Sequence, residues 1–272
     1  MFDLFYIPEI ILSIGILLVI VIDLYIEKQK YFSYLLIQFL IILASFYALT
    51  EVPTHAYSSY EFSKFTSLIK FLLLVGALII FHYTYRHLNY LNNLKIEYFT
   101  ISVLGLIGTM IMISAYSLLM LYLGIELLSL ALYALIGFNK ASKLSSEAAI
   151  KYYILGAMSS GILLFGISLI YGFTGSIDYF EIAEQISSVN NNSVQFLGII
   201  FGMIFITASL CFKFGAAPFH IWVPDIYQGS LVSTTILLST LPKVAVFVVF
   251  LKLYFIPFIT LAFIWSDILI FI

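Results

Sequence analysis

Glu126, Lys213, Lys243 and His220 are the residues of this chain whose types and surroundings suit proton chemistry. Glu126 lies in the run LYLGIELLSLALYALIG, Lys213 in SLCFKFGAAPFHIWVPDIYQG and Lys243 in STLPKVAVFVVFLK, so each ionisable group stands within an apolar stretch. A Glu or Lys at the centre of a membrane helix costs roughly 2.5–3.5 kcal/mol on insertion scales, so it faces protein or a water-filled cavity and is a candidate for function. A buried carboxylate with no cation beside it takes up a proton. Burial favours the neutral amine of a lysine, whereas a nearby carboxylate favours the ammonium. A lysine that gains and loses such a neighbour therefore loads and releases a proton near neutral pH. Glu126, Lys213 and Lys243 together read as a proton relay, and His220 suits either a relay or a hydrogen-bonded core position.

The stretch around Lys213 also carries a helix break. Pro218 and Pro224 lack a backbone N–H and are expected to free the carbonyls of Phe214 and His220, with Gly215 loosening the same turn. Broken helices persist at membrane depth only where protein or water satisfies the backbone, and transporters place ion sites at them. Lys151 and Asp225 are secondary candidates. Lys151 follows Glu147 by four residues, the order that favours an ion pair at a helix start. Glu9 and Asp23 fall toward the two ends of the first apolar run, where headgroups solvate them, and Lys252 is expected to snorkel to the interface.

These residues need long apolar elements to hold them, and the composition supplies little else. The 272 residues are 63% hydrophobic and 10% charged, with a mean hydropathy of +1.12. An average soluble domain is about 45–50% apolar and about 25% charged, so a soluble enzyme is excluded. Cys211 is the lone cysteine, which excludes a disulfide scaffold, and a net charge of −2 leaves no basic footprint for nucleic acid. Nine apolar runs approach the roughly 20 residues of a membrane helix: 4–26, 31–50, 65–85, 98–115, 117–138, 148–173, 194–227, 231–254 and 256–272. In lipid each must pair its backbone within itself, so all are expected to be helices. A short surface helix is expected at 177–189. Lys28, Lys30, Arg86, Lys95, Lys140, Lys143 and Lys151 fall on one side, and Lys64, Lys70 and Lys252 on the other. That asymmetry puts the N-terminus outside. Tyrosines at span ends, such as Tyr31, Tyr98 and Tyr171, suit an interfacial belt. No nucleotide loop, CxxC or paired-His spacing occurs, so no bound cofactor or metal is expected in this chain.

Several of these motifs resemble the antiporter-like membrane subunits of respiratory complex I, of the type called NADH dehydrogenase subunit 2 or bacterial subunit N. The resemblance rests on ELLSL from Glu126, SSEAAIKYYILGAMSSGILLFGISLIYGFTG from Ser145, FKFGAAPFHIWVPDIYQG from Phe212 and the LPK ending at Lys243. It implies an all-α polytopic membrane fold with three N-terminal helices in 1–97. A five-helix repeat with a broken seventh helix follows in 98–254, and a ninth helix in 255–272 opens a second repeat. It implies that Glu126 pairs with Lys213, that Lys243 passes protons laterally, and that His220 occupies the family's histidine at the break. NADH, FMN, iron–sulfur clusters and ubiquinone would belong to other subunits. The family's fold has two repeats, so the length implies a separate polypeptide carrying the second one, or a longer parent chain, beside other membrane-arm subunits and lipid. The expected function is proton translocation coupled to quinone reduction. The alternatives are a Mrp-type cation/proton antiporter subunit and a scaffold that no longer transports. Abundant Phe (26) and Tyr (20), with Lys exceeding Arg, suggest an AT-rich genome. The expected location is the mitochondrial inner membrane, with the bacterial plasma membrane as the alternative.

Overall fold

The computed structural model describes residues 7–25, 30–49, 55–57, 59–91, 94–190 and 193–271. Among them, eight helices are long and apolar enough to cross a membrane. They are α1 (Ile7–Tyr25), α2 (Lys30–Ala48), α3 (Lys64–Tyr90), α4 (Ile96–Ser114), α5 (Leu118–Ile136), α6 (Lys143–Thr174), α8 (Val194–Phe214) and α10 (Val232–Phe255). Between α6 and α8 lies the expected short helix, α7 (Tyr179–Ser188), and α9 (Trp222–Gly229) follows the break. Beyond α10 the expected ninth span is a 3₁₀ turn (Ile259–Leu261) and a ten-residue helix, α11 (Ala262–Phe271). Lys28, counted above in the charge asymmetry, and the run ends at 4–6, 26, 50 and 272 lie outside the described residues.

Apolar residues line both the inside and the outside of this bundle, as a bilayer requires. Leu17, Ile79, Leu130 and Phe165 are each more than half exposed, while Leu12, Leu74, Met110 and Leu163 are sealed within. In α4, 78% of the apolar window is buried against 33% in α1. That difference makes α4 the central post, touched by α1, α2, α3, α5 and α10. Alpha-helical backbones come close where glycine permits. A Cβ on Gly108 would lie 2.9 Å from the Gly124 carbonyl oxygen, and one on Gly124 would lie 2.9 Å from the Met112 nitrogen. This crossing draws α4 and α5 together two residues before Glu126. Gly166 meets Gly202 in the same way between α6 and α8, whereas Gly161 has no neighbour where its Cβ would stand.

The outer ends of the helices are laced by main chain. A two-stranded antiparallel ribbon, β1 (His55–Tyr57) and β2 (Tyr60–Phe62), precedes α3. It was not legible in the apolar pattern. Tyr116 N–H donates to the Ser59 carbonyl at 2.9 Å, Leu118 N–H to that of Ile177 at 2.9 Å, and Tyr179 N–H to that of Tyr116 at 3.1 Å. Ribbon, α4–α5 linker and the loop before α7 thus form one layer. Partial burial, with Glu181 nearby, raises the Asp178 carboxyl above its usual range in this layer.

Two lysines assigned above to outer loops are buried instead. Lys70 Nζ lies 2.6 Å from Glu9 Oε1, and the pair is sealed between α1 and α3. Tyr60 donates its hydroxyl to the same Glu9 oxygen and accepts from Lys70 at 2.8 Å. Lys252 does not snorkel. It is 7% exposed, lies 2.7 Å from Glu61 and donates to the carbonyls of Ile113 and Ala115. Those carbonyls stand at the C-terminal end of α4, where the helix has no internal donors left. With both lysines removed from the surface count, the charge asymmetry that orients the chain becomes steeper.

Candidate proton-relay site

Helix α5 begins at Ser117, whose hydroxyl accepts the Met120 N–H and caps the first turn. Tyr122, Glu126, Ser129 and Tyr133 then follow at spacings of four, three and four, which place them on one face. Glu126 is half-buried, and its Oε1 has no hydrogen-bond partner. Lys213, the penultimate residue of α8, reaches this face and donates from Nζ to Ser129 Oγ at 2.8 Å. The Ser129 hydroxyl in turn donates to the Ile125 carbonyl at 2.7 Å.

Lys213 thus reaches the face of α5 that carries Glu126. No direct ion pair within 4.0 Å joins them among the described residues. Lys213 is held by Ser129 instead, one turn beyond Glu126 on the same face. Ser129 carries no charge to mark it in an apolar run, although its i+3 spacing from Glu126 places it on that face. A carboxylate with a bare oxygen, a hydroxyl that both donates and accepts, and a primary amine form a set that can pass a proton.

The break that places Lys213 differs from expectation in its chemistry. Helix α8 ends because Gly215 adopts φ 79°, in the left-handed region, and donates its N–H to Cys211 O at 2.9 Å. Ala217–Pro218 is a cis peptide within the connection that follows. Pro224 frees nothing, for it lies in the first turn of α9, where a missing N–H carries no penalty. The His220 carbonyl accepts from Val223 N–H at 3.0 Å. At the end of α8, the Phe212 carbonyl accepts the Trp222 indole N–H at 2.9 Å. Replacing Trp222 by Phe keeps the ring and removes that donor. Thermal unfolding of the variant in detergent should report a loss of about 0.5–1.5 kcal/mol, the net worth of one hydrogen bond, since the Phe212 carbonyl still accepts the Gly215 N–H at 3.1 Å.

The structure does not bring the remaining candidates into the same contact. His220 is exposed in the connection, and no side-chain hydrogen bond or ion pair is recorded for it among the described residues. Lys243 is half-buried on α10 after the buried Pro242, likewise with no recorded side-chain partner. Lys151 and Asp225 do meet. Lys151 lies 2.9 Å from Glu147 and 2.7 Å from Asp225, so it ties α6 to α9 rather than merely starting its own helix. Gly229 lets the two helices close, since its Cβ would fall 2.7 Å from Leu144 O.

A family model described as "NADH:quinone oxidoreductase/Mrp antiporter, TM" matches residues 115–272, which include every residue of this site. The chain belongs to that family. Within the NADH:quinone oxidoreductase/Mrp antiporter family, it is similar to NADH-quinone oxidoreductase subunit N of Ruthia magnifica subsp. Calyptogena magnifica. The two are 38% identical over 265 residues, 96% of this chain and 55% of that one. The subunit of that name from Pelagibacter ubique is 35% identical over 98% of this chain and 56% of its own length. Similarity therefore extends through the first three helices, where motifs alone had carried little. The chain spans about half the length of the curated relatives it matches.

Among solved structures, a chain of respiratory complex I from Thermus thermophilus with bound Aureothin superposes with a TM-score of 0.73. It is 25% identical over 90% of this chain and 52% of that one. A chain of the Mrp complex from Dietzia shares the fold, with a TM-score of 0.74 at 16% identity, covering 94% of this chain and 49% of that one. These relatives are bacterial, and nothing among them supports the mitochondrial placement. The chain is a multi-pass membrane protein.

Proposed function

We propose that this chain moves protons within the membrane arm of an NADH:quinone oxidoreductase, in a bacterial plasma membrane. The observation that carries the reading is the polar face of α5, where Lys213 donates to Ser129 one turn from Glu126, whose Oε1 has no hydrogen-bond partner. In this reading Glu126 holds a proton when Lys213 is distant, and Lys213 holds it when the two approach. Ser129 is the hydroxyl through which they exchange it. Lys243, on the adjoining helix, receives the proton for lateral passage, and His220 joins at the break if that connection moves inward. NADH oxidation and quinone reduction belong to other subunits, and no cofactor is assigned to this chain.

Glu126→Gln tests the reading. In vesicles carrying the whole complex, protons moved per NADH oxidised should fall while NADH-to-quinone electron flow remains measurable. An unchanged ratio would rule the relay out. The Mrp-type alternative draws support from the shared fold. It expects sodium-driven proton exchange in vesicles without NADH.

A further inference from the structure

At the basic, inner end of the bundle a cavity of about 460 Å³ opens between the start of α4 and the end of α5. Its rim carries three exposed charges, Lys95, Glu97 and Lys140, and its walls include Ile101, Ala134 and Phe138. Ligand sites commonly occupy about 300–1,000 Å³. Lys95 Nζ lies 5.7 Å from the centre of the Phe138 ring, within reach of a cation–π contact. The neighbouring Leu94 carbonyl accepts the Lys30 ammonium at 2.9 Å, which brings a third exposed lysine to the same end. Neither Glu97 nor Lys140 has a recorded side-chain hydrogen bond or ion pair among the described residues. From this rim an apolar strip runs into the membrane. Glu97, Ile101 and Leu104 follow at spacings of four and three on α4, and Leu130 precedes Ala134 by four on α5, so each set shares one face. Leu104 is 38% exposed and Leu130 57%, and both stand deeper than the charged end.

We infer that this cavity and strip hold one phospholipid of the inner leaflet whose headgroup ends in a primary amine, of the phosphatidylethanolamine type. Lys95 and Lys140 donate to its phosphate, Glu97 accepts from its ammonium, and one acyl chain lies along Ile101, Leu104, Ala134 and Leu130. Basic pockets between membrane helices on the cytoplasmic side are places where lipid headgroups bind. Charge complementarity selects among headgroups here. A purely anionic one would leave Glu97 facing a like charge. The methylated amine of a choline headgroup would offer that carboxylate no N–H, whereas a primary ammonium donates as a lysine does. Only a headgroup with both a phosphate and a primary ammonium pairs all three rim charges.

The probe is phosphatidylethanolamine with a photoreactive group in its acyl chain, present as a trace in vesicles carrying the whole complex. Irradiation should attach it to the peptides that contain Leu104 and Leu130. A lysine beside a lipid headgroup is worth about fivefold in binding, so Lys95→Gln with Lys140→Gln should cut attachment by about 30-fold. Lys95→Arg with Lys140→Arg should keep it, and native gel mobility would show that each variant assembles. In the parent chain, unlabelled phosphatidylethanolamine should displace the probe better than phosphatidylglycerol or phosphatidylcholine does. Glu97→Gln should reverse that order in favour of phosphatidylglycerol. Equal attachment in the parent and the glutamine pair would mean ordinary boundary lipid and overturn the inference. Displacement by phosphatidylcholine as effective as by phosphatidylethanolamine would do the same. No attachment to either peptide would also overturn it, because a neighbouring subunit would then cover the strip. Should the glutamine pair fail to assemble, the Glu97→Gln competition decides alone.

Discussion

Lys213→Ala should leave the complex assembled and able to pass electrons, yet proton transfer through this chain should fall by about 100-fold or more, the usual worth of a positioned proton carrier. The reason lies in what remains. Without the ammonium, Ser129 keeps its bond to the Ile125 carbonyl but loses its donor. Glu126 keeps a bare, buried oxygen with no cation to favour its charged form. It would then hold a proton permanently, and a carrier that never discharges does not transport. Assembly should persist because Lys213 is the penultimate residue of α8, and the fold there depends on Gly215 and Trp222. The measurement is acid release into vesicles per NADH oxidised, with native gel mobility as the control. A variant with the parental ratio would remove Lys213 from the mechanism. One that fails to assemble would be replaced by Lys213→Met, which preserves the chain of methylenes.

The largest stability effect is expected at the other end of the bundle. Glu9 and Lys70 are 6% and 5% exposed and lie 2.6 Å apart. Glu9→Leu leaves the Lys70 ammonium in an apolar site with Tyr60 as its partner among the described residues. Breaking one side of a buried pair costs about 3–5 kcal/mol, because a charge is left uncompensated. The double replacement Glu9→Leu with Lys70→Met removes both charges, and replacing a buried pair in this way is often neutral or stabilising by about 1–4 kcal/mol. Chemical unfolding of the three variants in detergent would therefore give a strongly non-additive cycle. Additive losses would show that the two side chains do not act as a pair.

The long spans through α10 and the short α7 were legible because hydropathy marks length, whereas the expected ninth span is a 3₁₀ turn and a ten-residue helix; Glu126 and Lys213 stood out as candidates because a charge in an apolar run marks itself. Partners were not. Glu9 finds Lys70 across 61 residues and Lys252 finds Glu61 across 191, and neither pairing leaves a periodic trace. Lys252 read as a snorkelling side chain because it stands near a helix end. It is buried because the last carbonyls of α4 lack donors, which only the packed structure reveals. The role of Pro224 was misassigned for a similar reason. A proline breaks a helix when interior and starts one when first, and which applies depends on Gly215 having ended α8 beforehand.

The layer of main-chain hydrogen bonds joining Ser59, Tyr116, Leu118, Ile177 and Tyr179 constrains this chain in a way that composition does not. Its donors and acceptors are main-chain groups, so the pairing itself does not depend on side-chain identity, even though Leu118 and Tyr179 are buried. It does depend on the number of residues. One residue more or fewer between Tyr116 and the first turn of α5 would turn that helix by about 100° and swing Glu126 away from Lys213. Insertions and deletions are what this outer segment excludes.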